Sequence, residues 1–234
     1  MATLNQIIFN IRNSKKGGIL SDDDKVTDRQ LAFIVGYYRS VLLKQAMDKG
    51  KKIPYAAKQT LSVVEMEQVD KSDDCDTPVE CYTVRSVKRL PQPIDYAKGV
   101  MISYIGTIDG EESFQFQSQA RTRWSRYDKY TSSLRKAYIR DGYLYIVNDL
   151  IIELVQVQGI FERPELAAEY KLNCGSDDPC FTYDSPYPVE ASMIPVITEM
   201  IFKNEMTLLS MTPQDTINDG SDRVQEQPNP GSGG

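Results

Sequence analysis

Histidine is missing from the 234 residues of this chain. Its absence removes the commonest general base, the commonest metal ligand and the usual switch near neutral pH. Ser-His and Cys-His nucleophile pairs and histidine-containing zinc sites are excluded with it. Only carboxylate or lysine chemistry stays open to an enzyme. Long apolar runs are also missing: no window approaches the roughly 20 apolar residues of a membrane-spanning helix. The opening segment MATLNQIIFNIRN is amphipathic rather than continuously apolar, so a secretory signal is not expected. A soluble protein made in a cytoplasm, with no membrane partner, is the expectation. Positive charge is in deficit: the net charge is −6 and the pI about 4.9. Such a balance disfavours general duplex binding, which needs clustered Lys and Arg. The glycine pair Gly17-Gly18 has no following Gly-Lys-Ser/Thr and makes no phosphate loop. The aspartate run Asp22-Asp23-Asp24 and the pair Asp177-Asp178 lack the central Gly and terminal Glu of a calcium loop and read as solvated acid.

What is present is enough to build a core. Apolar residues make up 41% of the chain, and its length suits one domain with extensions. Thr3 is placed to cap a helix over Leu4–Asn13, in which Leu4, Ile7, Ile8 and Ile11 share one face. After an acidic loop at Ser21–Lys25, Thr27 with Gln30 three residues on forms a capping box. The spacing predicts a helix over Asp28–Met47, stopped by Gly50. Leu31, Ile34, Val35, Tyr38 and Leu42 make its apolar stripe. Phe33, Tyr37 and Val41 lie off that stripe and widen the apolar surface, which predicts a second partner: more of this chain, or another subunit.

From Pro54 the character changes to strands. They are expected at Lys58–Val69, Cys81–Leu90, Val100–Ile108 and Ser113–Ser118. Gln119–Ser133 reads as helical or irregular. The stretch Lys136–Pro164 carries the clearest pattern. Two Tyr- and Ile-rich runs flank Asp141-Gly142, a strong hairpin signal. Asn148-Asp149 marks a second turn before a third run, Leu150–Gln158, so a three-stranded antiparallel meander is predicted. A short helix over Glu165–Tyr170, a long loop over Lys171–Pro188 and a final helix over Val189–Leu209 follow, with Pro195 tolerated in the first turns. Beyond it, Thr212–Gly234 is poor in apolar residues and rich in Pro, Gly, Asp and Asn. It reads as an extended tail, disordered in isolation, whose Asp215 and Asp219 find partners on a neighbour. The fold class predicted is α+β: residues 1–211 as a single unit, helical over 1–50, mainly β over 55–160 and helical over 189–209, with residues 212–234 as the tail.

Two constellations invite a chemical reading. Cys75, Cys81, Cys174 and Cys180 form two pairs, each with five intervening residues. That gap is longer than structural zinc usually takes. Reduced thiols, two loop-closing disulfides and a four-thiolate metal site all remain open. The second constellation is basic. Arg121, Arg123, Arg126, Lys129, Arg135, Lys136 and Arg140 are interleaved with Trp124, Tyr127, Tyr130 and Tyr138. Such a mixture can track a nucleic-acid strand, form a protein interface or be an ordinary solvated face. Nothing pairs two acids as a carboxylate-based glycosidase on the cell envelope would need.

Three segments in order resemble a virion protein family of the crAss-like tailed bacteriophages. They are LNQIIFNIRNSKKGG followed by TDRQLAFIVGYYRSVLLKQ, the strand region closing in GIFERPELAAEY, and SPYPVEASMIPVITEMIFKNEM followed by TPQDTINDGSD. The resemblance implies a structural protein of the portal–neck–tail region that carries no catalytic site and no cofactor. It implies a homo-oligomeric ring, commonly twelvefold, stacked on neighbouring portal, neck and tail ring proteins in the head-to-tail connector or tail barrel. Genomic DNA would pass along the axis without sequence-specific binding, and an acidic wall suits that passage. Candidate interface residues are Phe33, Tyr37, Val41, Arg121, Arg123, Trp124, Arg126, Asp215 and Asp219. The rival readings are a DNA-binding accessory protein of the particle using the Arg121–Arg140 cluster and, further off, an envelope-degrading enzyme.

Overall fold

The computed structural model describes residues 2–16, 26–69, 83–125, 127–148, 151–171 and 180–206. Helix α1 spans Leu4–Lys16. The Thr3 hydroxyl accepts from the Gln6 amide at 3.2 Å, and the Gln6 side chain accepts from the Thr3 amide at 3.1 Å, a reciprocal cap. The helix outruns its predicted end by one turn. Lys15 and Lys16 are compatible with a helix C-terminus, so they do not break it. Helix α2 spans Asp28–Asp48 and opens on the Thr27–Gln30 capping box. Gly50, at φ +67°, follows its end.

The core side of α2 is Leu31, Val35, Tyr38, Arg39, Leu43 and Met47. This differs from the predicted stripe: Leu43 is buried in place of Leu42, and a charged residue sits at its centre. Leu4, Ile7, Ile8 and Ile11 of α1 pack on this side together with Tyr187, Val189 and Ile197. An ion pair of 2.9 Å between Arg12 and Asp28 ties α1 to the start of α2.

The last helix starts later than expected. Val189–Ser192 is extended and turned, and α5 begins at Met193 and runs to Met200 before widening into π-helix over Ile201–Met206. Pro195 explains the shift. Its ring clashes with the carbonyl four residues back in a helix interior, so the helix can hold Pro195 only in its first turn. Residues after Met206 lie outside the described set, as do the predicted tail and the Ser21–Lys25 loop.

The β part is one seven-stranded sheet in the order β5-β9-β1-β2-β8-β7-β6, with a small β3–β4 ribbon beside it. The strands are β1 Gln59–Gln68, β2 Thr83–Ser86, β3 Asp95–Tyr96, β4 Gly99–Val100, β5 Ile102–Gly106, β6 Gln115–Phe116, β7 Lys136–Arg140, β8 Tyr143–Val147 and β9 Leu154–Gly159. All sheet pairs are antiparallel except β6 with β7. The two outer strands are also tied to each other. Gly106 pairs with Ser113, and the Phe114 amide donates to the Ile105 carbonyl at 2.7 Å. The segment Ser113–Phe116 thus bridges β5 and β7 and curls the sheet into a barrel-like roll. Its interior is filled by Leu61, Val64, Val84, Ile105, Phe114, Leu144, Ile146, Val155 and Val157. Gly106 is required here, because a Cβ would lie 2.1 Å from the Glu112 carbonyl oxygen.

Asp141 and Gly142 join β7 to β8 with φ of 54° and 84°. Positive φ at both central residues is the type I′ geometry the dipeptide was expected to adopt. The three-stranded meander does not form. β8 has β7 on one side and β2 on the other, so no edge is left for the third run. That run starts at Leu154 and pairs with β1 and β5 instead. Asn148, at φ 69°, donates its side-chain amide to the Ser132 and Leu134 carbonyls at 2.7 and 3.0 Å. It anchors the chain leading into β7 rather than turning a hairpin.

After β9 the chain forms the short helix α4, Pro164–Ala167, continued as a 3-10 turn to Tyr170. Helix α3, Gln119–Ser125, packs against β7. α2, with Met193 of α5 beside it, docks on the end of the roll where β9 finishes, Leu43 and Met47 against Ala57, Ile94 and Ile160, and α1 packs on α2 in turn. The architecture is α+β, with α1, α2 and α5 gathered at one end of a mostly antiparallel sheet.

A candidate assembly surface

Arg39 fixes how the helices meet the roll. Its side chain is fully buried. Nε donates to the Pro188 carbonyl at 2.8 Å, Nη1 to Phe161 at 2.9 Å and Nη2 to Ala57 at 3.3 Å. Three carbonyls from three separated parts of the chain therefore converge on one guanidinium. The group also lies 5.9 Å from the Tyr187 ring centroid. Burial lowers the Arg39 pKa, yet a guanidinium stays protonated in proteins. The Tyr187 phenol is pushed up, first by burial, and its hydroxyl has no hydrogen-bond partner among the described residues.

With that clasp in place, the opposite side of α2 faces a groove of about 500 Å³. Phe33, Tyr37 and Val41 line one wall, and Ile94, Glu162 and Arg163 belong to the other. Phe33 is 64% and Tyr37 56% exposed, and Val41 is half-buried. The three residues that widened the apolar surface in sequence thus come together, and the described part of the chain leaves them uncovered. Gly36 lies between them on the same helix face. The groove's second wall was not legible in the chain order, because Ile94 and Glu162 reach it only through the fold.

The basic cluster is not kept together. Arg135 is paired with Glu112 and lies over the Phe114 ring. Lys136 is buried in β7. Arg140 pairs with Asp141 at 3.2 Å. Arg121 is exposed on α3; the Arg123 side chain and the whole of Arg126 lie outside the described set. The aromatics separate too. Tyr138 stacks on Tyr145 across β7 and β8 at 5.1 Å. Trp124, Tyr127 and Tyr130 stand out at 73, 69 and 84% exposure, with Trp124 and Tyr127 rings 6.3 Å apart. A projecting aromatic knob remains where the sequence suggested a basic strip. Asp215 and Asp219 lie outside the described residues.

Cys180 is disulfide-bonded, so the reduced-thiol reading fails at that position. The other three cysteines lie outside the described set. Among the described residues no group of three or more His, Cys, Asp or Glu could hold a metal ion, and no helix is long and apolar enough to cross a membrane.

The described surface offers area for contact with a partner. Residues 6–226 match the phage tail ring protein 2 family. Ring protein 2 of Bacteroides phage crAss001 is 28% identical over 244 aligned positions, which span 96% of this chain and 99% of that protein. The chain belongs to the crAss-phage tail ring protein 2 family, a family of structural ring proteins rather than enzymes.

Proposed function

We propose that this chain assembles into a closed homo-oligomeric ring, twelvefold, in the head-to-tail connector or tail barrel of the virion. Neighbouring portal, neck and tail ring proteins stack on it, and the genome passes through its lumen without base-specific contact. The observation that carries this reading is the apolar groove on α2, which the described residues leave uncovered, in a member of a tail ring family. A helix on the outside of a monomer should show one apolar stripe. Here a second apolar face, with two aromatics more than half exposed, is left for a partner. The acidic net charge of −6 suits a wall along which DNA must slide.

Dispersal of the basic cluster weighs against the accessory DNA-binding reading. Two of its cations are paired with carboxylates and a third is buried on β7, so these three do not form a continuous track for phosphates. Negative-stain microscopy and mass photometry of the purified chain test the proposal. Closed rings of about 320 kDa, twelve copies of a 26.5 kDa chain, are expected. Open filaments, or a monomer at every concentration and in the presence of its virion neighbours, would overturn it.

A further inference from the structure

A ring closes through a heterologous contact: two different patches on each copy, one meeting the other on the next. Resting on the ring reading above, we propose that those patches are the α2 groove and the aromatic knob. Trp124 and Tyr127 of one copy enter the groove lined by Phe33, Tyr37 and Val41 of the next.

Their places in the fold allow it. The groove lies where β9 ends, beside Ile94 and Glu162. The chain that carries the knob returns to the start of β7, where Asn148, just past the end of β8, holds the Ser132 and Leu134 carbonyls. In the sheet register Lys136 lies opposite Val147 and Val147 opposite Thr83, while Gln59 lies opposite Gly159 at the other end of β1. The Ser132–Leu134 stretch behind the knob and the groove therefore belong to opposite ends of the roll, which suits a head-to-tail contact between successive copies.

The sizes are compatible. Each aromatic buries roughly 150–250 Å² when fully covered; at 73, 69 and 84% exposure, Trp124, Tyr127 and Tyr130 supply roughly 340–570 Å² of the ~800 Å² each partner gives to a stable interface. A groove of about 500 Å³ falls in the range that holds compact apolar groups. Trp, Tyr and Arg are the residues that anchor such contacts. The rim is mixed in sign: Asp95, Glu162 and Glu165 line the groove with Arg29, Lys44 and Arg163, so both the cations Arg121 and Lys129 and the acid Asp128 near the knob in sequence have opposite charges within the groove.

The test uses full-length chains. Trp124→Ala/Tyr127→Ala removes the knob, and Phe33→Asp blocks the groove. All three residues are exposed, so circular dichroism should show each monomer folded; Tyr37→Ala replaces Phe33→Asp if that chain does not fold. By mass photometry each variant alone should need at least about 30-fold more protein to assemble. Mixed one to one, the two variants retain one intact knob and one intact groove. They should form dimers and nothing larger. Wild-type rings together with variants that assemble equally well would overturn the pairing and leave the ring standing. A mixture without dimers would also overturn the pairing. A wild-type chain that never assembles would sink both.

Discussion

Replacing Arg39 by Met should be among the most damaging single changes available in this chain. The guanidinium reaches carbonyls of Ala57, Phe161 and Pro188 at 3.3, 2.9 and 2.8 Å from a site with no solvent exposure. Methionine fills much of the same volume and donates nothing. Three buried carbonyls would lose their partner, each at a cost of ~1–3 kcal/mol. Relief from burying an uncompensated charge offsets several kcal/mol of that sum. A net loss of ~3–5 kcal/mol follows, three carbonyls at ~1–3 kcal/mol each less that relief. For a chain of this length each kcal/mol moves the melting temperature by about 2–4 °C, so the variant should melt about 6–20 °C below wild type. Arg39→Lys should recover little, because an ammonium gathers its three donors on one nitrogen and cannot span three elements. Thermal and urea unfolding of the monomer, followed by circular dichroism, reads both. A Met variant within about 2 °C of wild type, or a Lys variant equal to wild type, would show that the carbonyls find other donors and that Arg39 does not clasp the helices to the roll.

Gly142→Val should destabilise the β7–β8 hairpin by ~1–3 kcal/mol, because φ is +84° there and a β-branched residue resists it; an unchanged unfolding midpoint would sink this. Tyr187→Phe should be neutral or raise stability by up to ~1 kcal/mol, since the lost hydroxyl is buried without a partner among the described residues. A clear loss in urea unfolding would mean that the hydroxyl is hydrogen-bonded in solution. Deleting residues 212–234 should leave the monomer's melting temperature unchanged and weaken assembly, because ordering that segment costs ~1–2 kcal/mol per residue and is repaid only on a neighbour. Equal hydrogen exchange of the tail in monomers and particles would refute it.

Local signals were legible in the sequence and long-range ones were not. Thr27 with Gln30 and Asp141 with Gly142 encode structure within four residues, and both adopted the expected geometry. The first two helices follow from 3.6-residue periodicity, although Leu43 rather than Leu42 is buried. The meander failed because the sequence of a strand does not say which neighbours already occupy its edges. β2 had taken the free side of β8. The parallel β6–β7 pair escaped notice for a related reason, since two residues of strand carry no detectable period. Of the candidate site, Phe33, Tyr37 and Val41 were readable as a surplus of apolar surface on one helix. The basic cluster misled because proximity in sequence was taken for proximity in space; Lys136 is buried on the outer face of β7, opposite the interior Ala137 and Ile139, while Arg135 turns to Glu112. A single arginine inside an apolar stripe was the one available sign of the Arg39 clasp, and helix periodicity alone counts it as a solvent-facing interruption.

Closure of the roll bears on how a ring of such subunits can be specific. A sheet edge presents unpaired amide and carbonyl groups that accept almost any extended chain, and edges left open promote uncontrolled association. Here the outer strands β5 and β6 are joined through Gly106–Ser113 and the Phe114–Ile105 hydrogen bond, so strand addition is suppressed at that seam. Contact between copies then falls to side-chain surfaces, which discriminate by shape. A heterologous contact of that kind closes only if the rotation between copies is right, and otherwise runs on as a filament. On the proposed reading that rotation is set by the angle between groove and knob, one carried by α2 and the other by the chain between α3 and β7. The groove's angle to the roll is held by Arg39 and its three carbonyls. The knob's is held by Asn148 and its two. Both are clusters of short hydrogen bonds to backbone, which tolerate little displacement. Rigidity at these two points, more than affinity at the contact itself, is what selects a closed ring over an open one.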